Sequence, residues 1–267
     1  MDSTLAKGLA VMDWLARQQR ECRVIEVAQT FGIARSNAHR TLQTLVESGW
    51  AVHSASTSTY RASLRLFELG GLVEAGSDLK TLLHPHLADL ARDTGETIHL
   101  TVLEGANIVY LDKFDSPLPV AAYSRIGGYA PAYCVASGKA LLAALQLDLS
   151  ALRALFGDLP AHTPSTITDY DTLYAELVCT QKRGWAENRE EWRVGVCGLG
   201  TTVFNARGEP VAAVGMSVPS IRFTRAQARS LADKLTACGQ EASHTLGYRR
   251  DTHTEVPRST TLFRRQP

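Results

Sequence analysis

The chain has 267 residues, 45% of them hydrophobic and 21% charged, with a formal net charge of +1. That composition suffices for about two packed domains. It excludes a polycation held to nucleic acid by bulk charge, and apolar runs as short as 211–214 exclude a helical membrane span. The charge is unevenly placed: residues 1–65 hold 8 Lys/Arg against 5 Asp/Glu, residues 66–248 hold 15 against 20, and residues 249–267 hold 5 against 2. A mildly basic head on an acidic body suits a nucleic-acid-reading domain joined to one that does not touch DNA. Cys22, Cys134, Cys179, Cys197 and Cys238 are scattered and odd in number, which argues against a secreted disulfide framework. The opening MDSTLAKGL lacks a signal peptide's hydrophobic region. A cytoplasmic protein is expected.

In chain order, residues 4–17 predict a helix capped by Thr4, with Leu5, Leu9, Met12 and Ala16 on one face. The stretch 24–46 then predicts two short helices. Val24, Val27, Ala28 and Phe31 form the apolar face of the first, and Gly32-Ile33-Ala34 breaks the pattern. The second buries Ala38, Leu42 and Leu45 and leaves Arg35, Ser36, Asn37, His39 and Arg40 outside. This is a helix-turn-helix pattern, and a face of cations and amides suits a major groove. Period-two alternation around a Ser/Thr-rich tip at 54–57 predicts a two-stranded wing, with Tyr60 and Arg61 as phosphate contacts. Residues 63–77 predict a linking helix weakened at Gly70-Gly71, and 79–94 a helix with Leu82, Leu83, Leu87, Leu90 and Ala91 inward.

From Glu96 the pattern turns to strands. Residues 97–103 and 108–113 form a hairpin, 120–125 a third strand ended by Gly127-Gly128, and 184–189 a short strand. Residues 198–205 and 210–218 form a second hairpin. Helices are expected over 137–147, 148–156, 170–183 and 224–246, the last with Leu231, Leu235 and Leu246 on its face. An antiparallel sheet flanked by helices is an α+β domain. The polar, aperiodic residues 249–267 are expected to be a disordered tail.

No catalytic, metal or cofactor site is expected. His84-Pro85-His86 has no HExxH or clustered ligand spacing, and GxSxG is absent. Tyr133 and Ala140 occupy the Gly and Ser/Thr positions a phosphate loop would need. Cys134 and Cys197 are read as small apolar packing residues, with a thiol redox sensor through Cys134 as the alternative. The helix start at 133–139 offers free backbone N–H groups suited to a carboxylate, or is an ordinary N-terminus capped by Ser137.

Several stretches together resemble the IclR family of bacterial transcription regulators over about residues 4–248. They are SNAHRTLQTLVESGW at 36–50, YRASLRLFELG at 60–70 and TGETIHLTVLEGANIVYLDK at 94–113. YSRIGGYAPAYCVASGKALLA at 123–143, RGWAENREEWRVGVCGLGTTVFNARGEPVAAVGMS at 183–217 and the closing LGY carry the rest. LRLFELG, ETIHL and YSRIGG look most like the branch regulating sugar-acid breakdown, whose best-known member answers 2-keto-3-deoxygluconate. The resemblance implies a winged helix-turn-helix at 1–62, a linker helix at 63–78 and a profilin/GAF-like effector-binding domain at 79–248. It implies a dimer or dimer of dimers on a near-palindromic operator, with no membrane partner. It departs from the family in a wing tip without Lys, Arg or Gly, in Asn188 where an acid is common, and in Gly198 where Cys is frequent.

By family position, Ala136 and Ser137 give backbone N–H groups to a small carboxylate effector. Opposite walls come from Ala122, Asn188, Trp192, Val196, Gly198, Gly215 and Ser217, with Cys134 beside them. Asn188 and Ser217 would read oxygens, and Gly198 and Gly215 remove bulk. Tyr133 and Trp192 either roof the site, which would favour an aromatic acid, or are core aromatics.

Overall fold

The computed structural model describes residues 3–18, 20–69, 79–121 and 124–249. The chain divides into two compact units, residues 1–78 and 79–267.

In the first unit, α1 (Ser3–Gln18), α2 (Val24–Phe31) and α3 (Arg35–Glu47) precede strands β1 (Ala51–Ser54) and β2 (Thr59–Ala62). A helix, α4, is described over 65–69. Val27 and Ala28 of α2 pack with Ala38, Leu42 and Leu45 of α3, and Val11 and Leu15 of α1 close the core. Each such leucine, taken fully out of water, stabilises the unit by about 1.5–3 kcal/mol. Gly32 ends α2 at φ +59, and the next amide, Ile33, returns to the Ala28 carbonyl at 3.0 Å. That left-handed step, open to glycine at little cost, sets the turn into α3. The wing pairs Ala51 with Ala62 through Ser54 with Thr59.

In the second unit, six strands form an antiparallel sheet in the order β5-β4-β3-β8-β7-β6. They are β3 (Thr97–Glu104), β4 (Asn107–Phe114), β5 (Tyr129–Pro131), β6 (Ala186–Arg189), β7 (Val196–Phe204) and β8 (Pro210–Pro219). Alternation sorts β3 onto two faces. Ile98 and Leu100 join a core with Leu83, Leu87 and Leu90 of α5 (Leu79–Thr94) and Leu235 of α9 (Arg225–Thr245). Thr97, His99 and Thr101, equally buried, fall on the opposite face. That side carries α6 (Ala136–Leu145), α7 (Leu149–Phe156) and α8 (Tyr170–Arg183), packed through Leu141, Leu142, Leu152 and Leu173. The fold is therefore a helix-turn-helix unit with a two-stranded wing, followed by an α+β unit.

Four expectations are corrected. Leu5 and Leu9 are 61% and 51% exposed, and α1 buries Val11 and Leu15 instead. Leu82 is 42% exposed while Leu83 is fully buried. The described residues of 120–125 form no strand. The edge strand lies beyond the glycines at Tyr129–Pro131, because Tyr110 already exchanges backbone hydrogen bonds with Gly127 and Gly128 and carries β4's pairing on to Tyr129. Tyr60 is 2% exposed and belongs to the core, so it is no phosphate contact. Its N–H and carbonyl both pair with Cys22 at 2.8 Å, which draws β2 inward. The linker beyond residue 69, the Gly70-Gly71 bend and the tail beyond Arg249 lie outside the described residues.

Candidate functional site

The outward face of α3 carries Arg35, Ser36, Asn37, His39 and Arg40, all exposed. The Arg40 guanidinium donates to the Asn37 side-chain oxygen at 3.1 Å, so the two side chains extend as one hydrogen-bonding unit. On β2, Arg61 is exposed. The wing's hydroxyls are partly engaged within the chain: Thr57 and Thr59 both donate to the Glu21 carboxylate. Those bonds hold Glu21 below the usual carboxylate range, Thr59 contributing most. The wing thus presents fewer free hydroxyls than its sequence suggests, beside a fixed negative charge.

In the second unit a cavity of about 240 Å³ opens at the start of α6. The helix reaches it because the strands beneath are stripped of side chains. A Cβ on Gly200 would stand 2.4 Å from the Ala136 carbonyl carbon and 2.5 Å from the Ser137 nitrogen, and one on Gly215 would stand 3.2 Å from the Ser137 Cβ. Gly138 is equally constrained, its missing Cβ lying 2.3 Å from the Ala132 carbonyl oxygen. Asp148, Asp169 and Thr224 cap α7, α8 and α9, whereas no side chain caps α6. Among the described residues nothing accepts from the backbone N–H of Ala136 or Ser137. These donors and the helix dipole make that end of the cavity electropositive.

Two buried side chains face the same space. Asn188, 5% exposed, accepts from the Glu191 N–H at 2.8 Å, which fixes its oxygen inward and leaves its NH2 without a protein partner among the described residues. His99, 3% exposed, shares a hydrogen bond of 2.9 Å between Nε2 and the Ser124 hydroxyl. Burial, reinforced by the charge of Lys113, brings its pKa down to about 4, so the ring is neutral at physiological pH. Behind the wall, Lys139 of α6 is fully buried and donates to both Glu191 carboxylate oxygens, at 2.7 and 2.9 Å. Desolvation outweighs the lysine and raises the Glu191 pKa. This pair ties α6 to the segment that carries Asn188 and Trp192.

The cavity gathers Ala136 and Ser137 from α6, Asn188 from β6, and Trp192 and Val196 from the turn and strand that follow. Gly198, Gly215 and Ser217 of the second hairpin complete that set. Tyr133 and Cys134 do not line it. Both fall in a one-turn 3-10 helix, Ala132–Cys134, that turns Tyr133 into the α7–α8 core. There the Tyr133 hydroxyl donates to the Pro160 carbonyl at 2.6 Å and its ring meets Phe156 edge-on. Cys134 is fully buried, with its pKa pushed up to about 12 by desolvation, which weighs against a thiol sensor. Ala122 lies outside the described residues. Sequence reasoning missed His99, Ser124, Arg125 and Arg193, which also line the cavity. Only His99 left a signal, as a polar residue among the threonines of an alternating strand.

Residues 4–55 match the IclR helix-turn-helix domain, and residues 73–244 match the bacterial transcriptional regulator IclR C-terminal domain. The chain belongs to the IclR family. Among its relatives in that family, it is similar to the HTH-type transcriptional regulator XynR of Escherichia coli strain K12, at 30% identity over 92% of this chain and 97% of that one. It is likewise similar to the HTH-type transcriptional regulator KdgR of the same strain, at 31% identity over 92% of this chain and 93% of that one. The crystal structure of the Thermotoga maritima IclR covers 93% of this chain and 100% of its own, with a TM-score of 0.75 at 31% identity. As an IclR-family member the chain is a DNA-binding transcription regulator and not an enzyme. Among the described residues no helix is long and apolar enough to cross a membrane.

Proposed function

We propose that this regulator represses a catabolic operon and is released from, or modulated on, a near-palindromic operator by a small carboxylate metabolite, a sugar acid in the first instance. In this reading residues 1–62 bind DNA through Arg35, Ser36, Asn37, His39, Arg40 and Arg61. Residues 63–78 link, and residues 79–248 hold the effector. The protein works in the cytoplasm as a homo-oligomer, a dimer or a dimer of dimers.

The observation that supports the effector reading best is the convergence of the uncapped α6 N-terminus and the unpartnered Asn188 amide on one cavity. The N–H groups of Ala136 and Ser137 suit a carboxylate, and Asn188 and Ser217 suit hydroxyl or keto oxygens. Release of DNA requires the acid to favour one state of the protein. Shifting DNA-competent protein from 99% to 1% takes about 5.5 kcal/mol of differential binding, which several sites in an oligomer share.

Calorimetry of the full-length chain with gluconate and with its neutral amide tests the reading, and the charged form is expected to bind tighter. Ser137→Ala leaves the backbone donor and has little effect, whereas Ser137→Pro removes it and weakens binding strongly. Asn188→Leu leaves an effector oxygen unpaired and weakens binding by about 1–3 kcal/mol. Asn188→Leu still binds operator and no longer releases it at ordinary effector levels. Equal affinity for acid and amide would sink the carboxylate site. The aromatic-acid reading keeps one observation in its favour, the Trp192 ring at the cavity; benzoate binding tighter than gluconate would select it.

A further inference from the structure

Although residues 66–248 carry more acids than bases, among the described residues no Asp or Glu lines the cavity. One carboxylate is accounted for at the α6 end by backbone N–H groups and Asn188. Two cations remain. Arg125, in the segment between β4 and β5, and Arg193, in the turn between β6 and β7, both line the cavity and are both exposed. Elsewhere in this unit Arg92, Arg183, Arg189, Arg207 and Arg222 each pair with a carboxylate, Arg153 lies over the Tyr170 ring, and Arg225 and Arg229 of α9 have no carboxylate partner among the described residues but lie away from the cavity. Arg125 and Arg193 have no such partner among the described residues, and Arg193 instead lies over the Trp192 ring, 4.8 Å from its centroid. The neighbouring cation Lys113 is already engaged, by Asp115 at 3.0 Å and the Ser124 carbonyl at 2.8 Å.

Building on the carboxylate reading above, we propose that the effector is a dicarboxylate. One carboxylate sits at the α6 N-terminus, and the second lies between Arg125 and Arg193 at the rim of the same cavity. A guanidinium binds a carboxylate through two parallel N–H donors, and two guanidiniums on separate segments grip it from two sides. Cavity size agrees. About 240 Å³ is a little under the roughly 300–1,000 Å³ of pockets for drug-sized ligands and suits a small acid of several carbons. A two- or three-carbon monoacid would leave much of that space to water and both arginines unused. Between the acid ends, His99, Ser124 and Ser217 offer neutral polar groups suited to hydroxyls on the connecting carbons.

The test is calorimetry of the full-length chain at fixed ionic strength with two matched pairs, glucarate against gluconate and adipate against hexanoate. The diacid of at least one pair is expected to bind about tenfold or more tightly than its monoacid, as an added charge-assisted pair implies. The double variant Arg125→Gln, Arg193→Gln should erase that advantage, bringing the diacid down to the affinity of its monoacid measured in the same variant. Both positions are exposed, and an unaltered melting curve verifies that the variant folds. If a monoacid binds and neither diacid binds tighter, the dicarboxylate inference falls and the carboxylate site stands. If none of the four acids binds, both fall. A diacid advantage that survives the double variant also overturns the inference, because the rim arginines would not be its source.

Discussion

Two side chains carry the most direct tests. Arg40 projects from α3 with its guanidinium held by Asn37, as a base-reading pair needs. Arg40→Ala should weaken operator binding by about 1–3 kcal/mol if it reads a base edge. If it holds only phosphate, affinity falls alike for operator and random DNA, with a shallower salt slope. Fluorescence anisotropy with both duplexes decides, and unchanged affinity for both would remove Arg40 from the interface. His99 makes a pH prediction. Its pKa is about 4 in the folded chain against an ordinary 6.5, chiefly because burial disfavours the charged ring. Between those values the unfolded chain binds a proton that the folded chain does not. The stability is therefore fully present above about pH 6.5 and is lost as pH falls toward 4. Comparing pH 7.5 with pH 5, wild type should lose about 2 kcal/mol more than His99→Gln, at about 1.4 kcal/mol per pKa unit. Equal losses in denaturant melts would show that the ring is not buried neutral. The importance of this histidine was barely legible in the sequence, since nothing local ties residue 99 to residues 125 and 193.

At the scale of elements, legibility followed the number of apolar stripes a segment offers. In α3 only Ala38, Leu42 and Leu45 make a helical apolar line, and that line is buried. In α1 two lines compete, Leu5-Leu9-Met12 and Val11-Leu15. Periodicity cannot choose between them; contact with Val27 and Leu42 does. The turn at Gly32 and the second hairpin were readable from glycine placement and alternation. The 3-10 turn at Ala132–Cys134 was not, and it sends Tyr133 away from residues only three places further on. Gly200 was overlooked because a glycine in a strand declares its purpose only when the element above it is known. Gly200→Ala would press a methyl into the α6 backbone. Overpacking of this kind destabilises by about 1–3 kcal/mol. Denaturation of the variant should show that loss, and calorimetry a weakened acid site. Wild-type values in both measurements would contradict the close approach of α6 to β7.

For the whole molecule, the small charge surplus of the first 65 residues, 8 Lys/Arg against 5 Asp/Glu, bears on assembly. One such head neutralises few phosphates, each worth about −0.9 in the log–log salt slope. Two heads double the slope and match a two-fold operator. Footprinting should reveal half-sites separated by about one helical turn or a multiple of it, with sedimentation showing at least a dimer. A monomer that grips a single half-site tightly would contradict this. The division into two compact units explains why a lesion in the cavity is expected to spare DNA binding itself.

The cavity has two kinds of wall, and they age differently. Its α6 end is a helix start seated on glycines and tied behind by Lys139 and Glu191, where one added methyl or one lost charge strains the fold. Its rim is lined by Ser124, Arg125, Gly128 and Arg193, and the two arginines are exposed and pair with no carboxylate among the described residues. Inheritance therefore acts on the two ends unequally. On the reading proposed above, exchanging rim residues would alter which second group is recognised and leave a folded regulator, whereas a change at the α6 end would strain the fold.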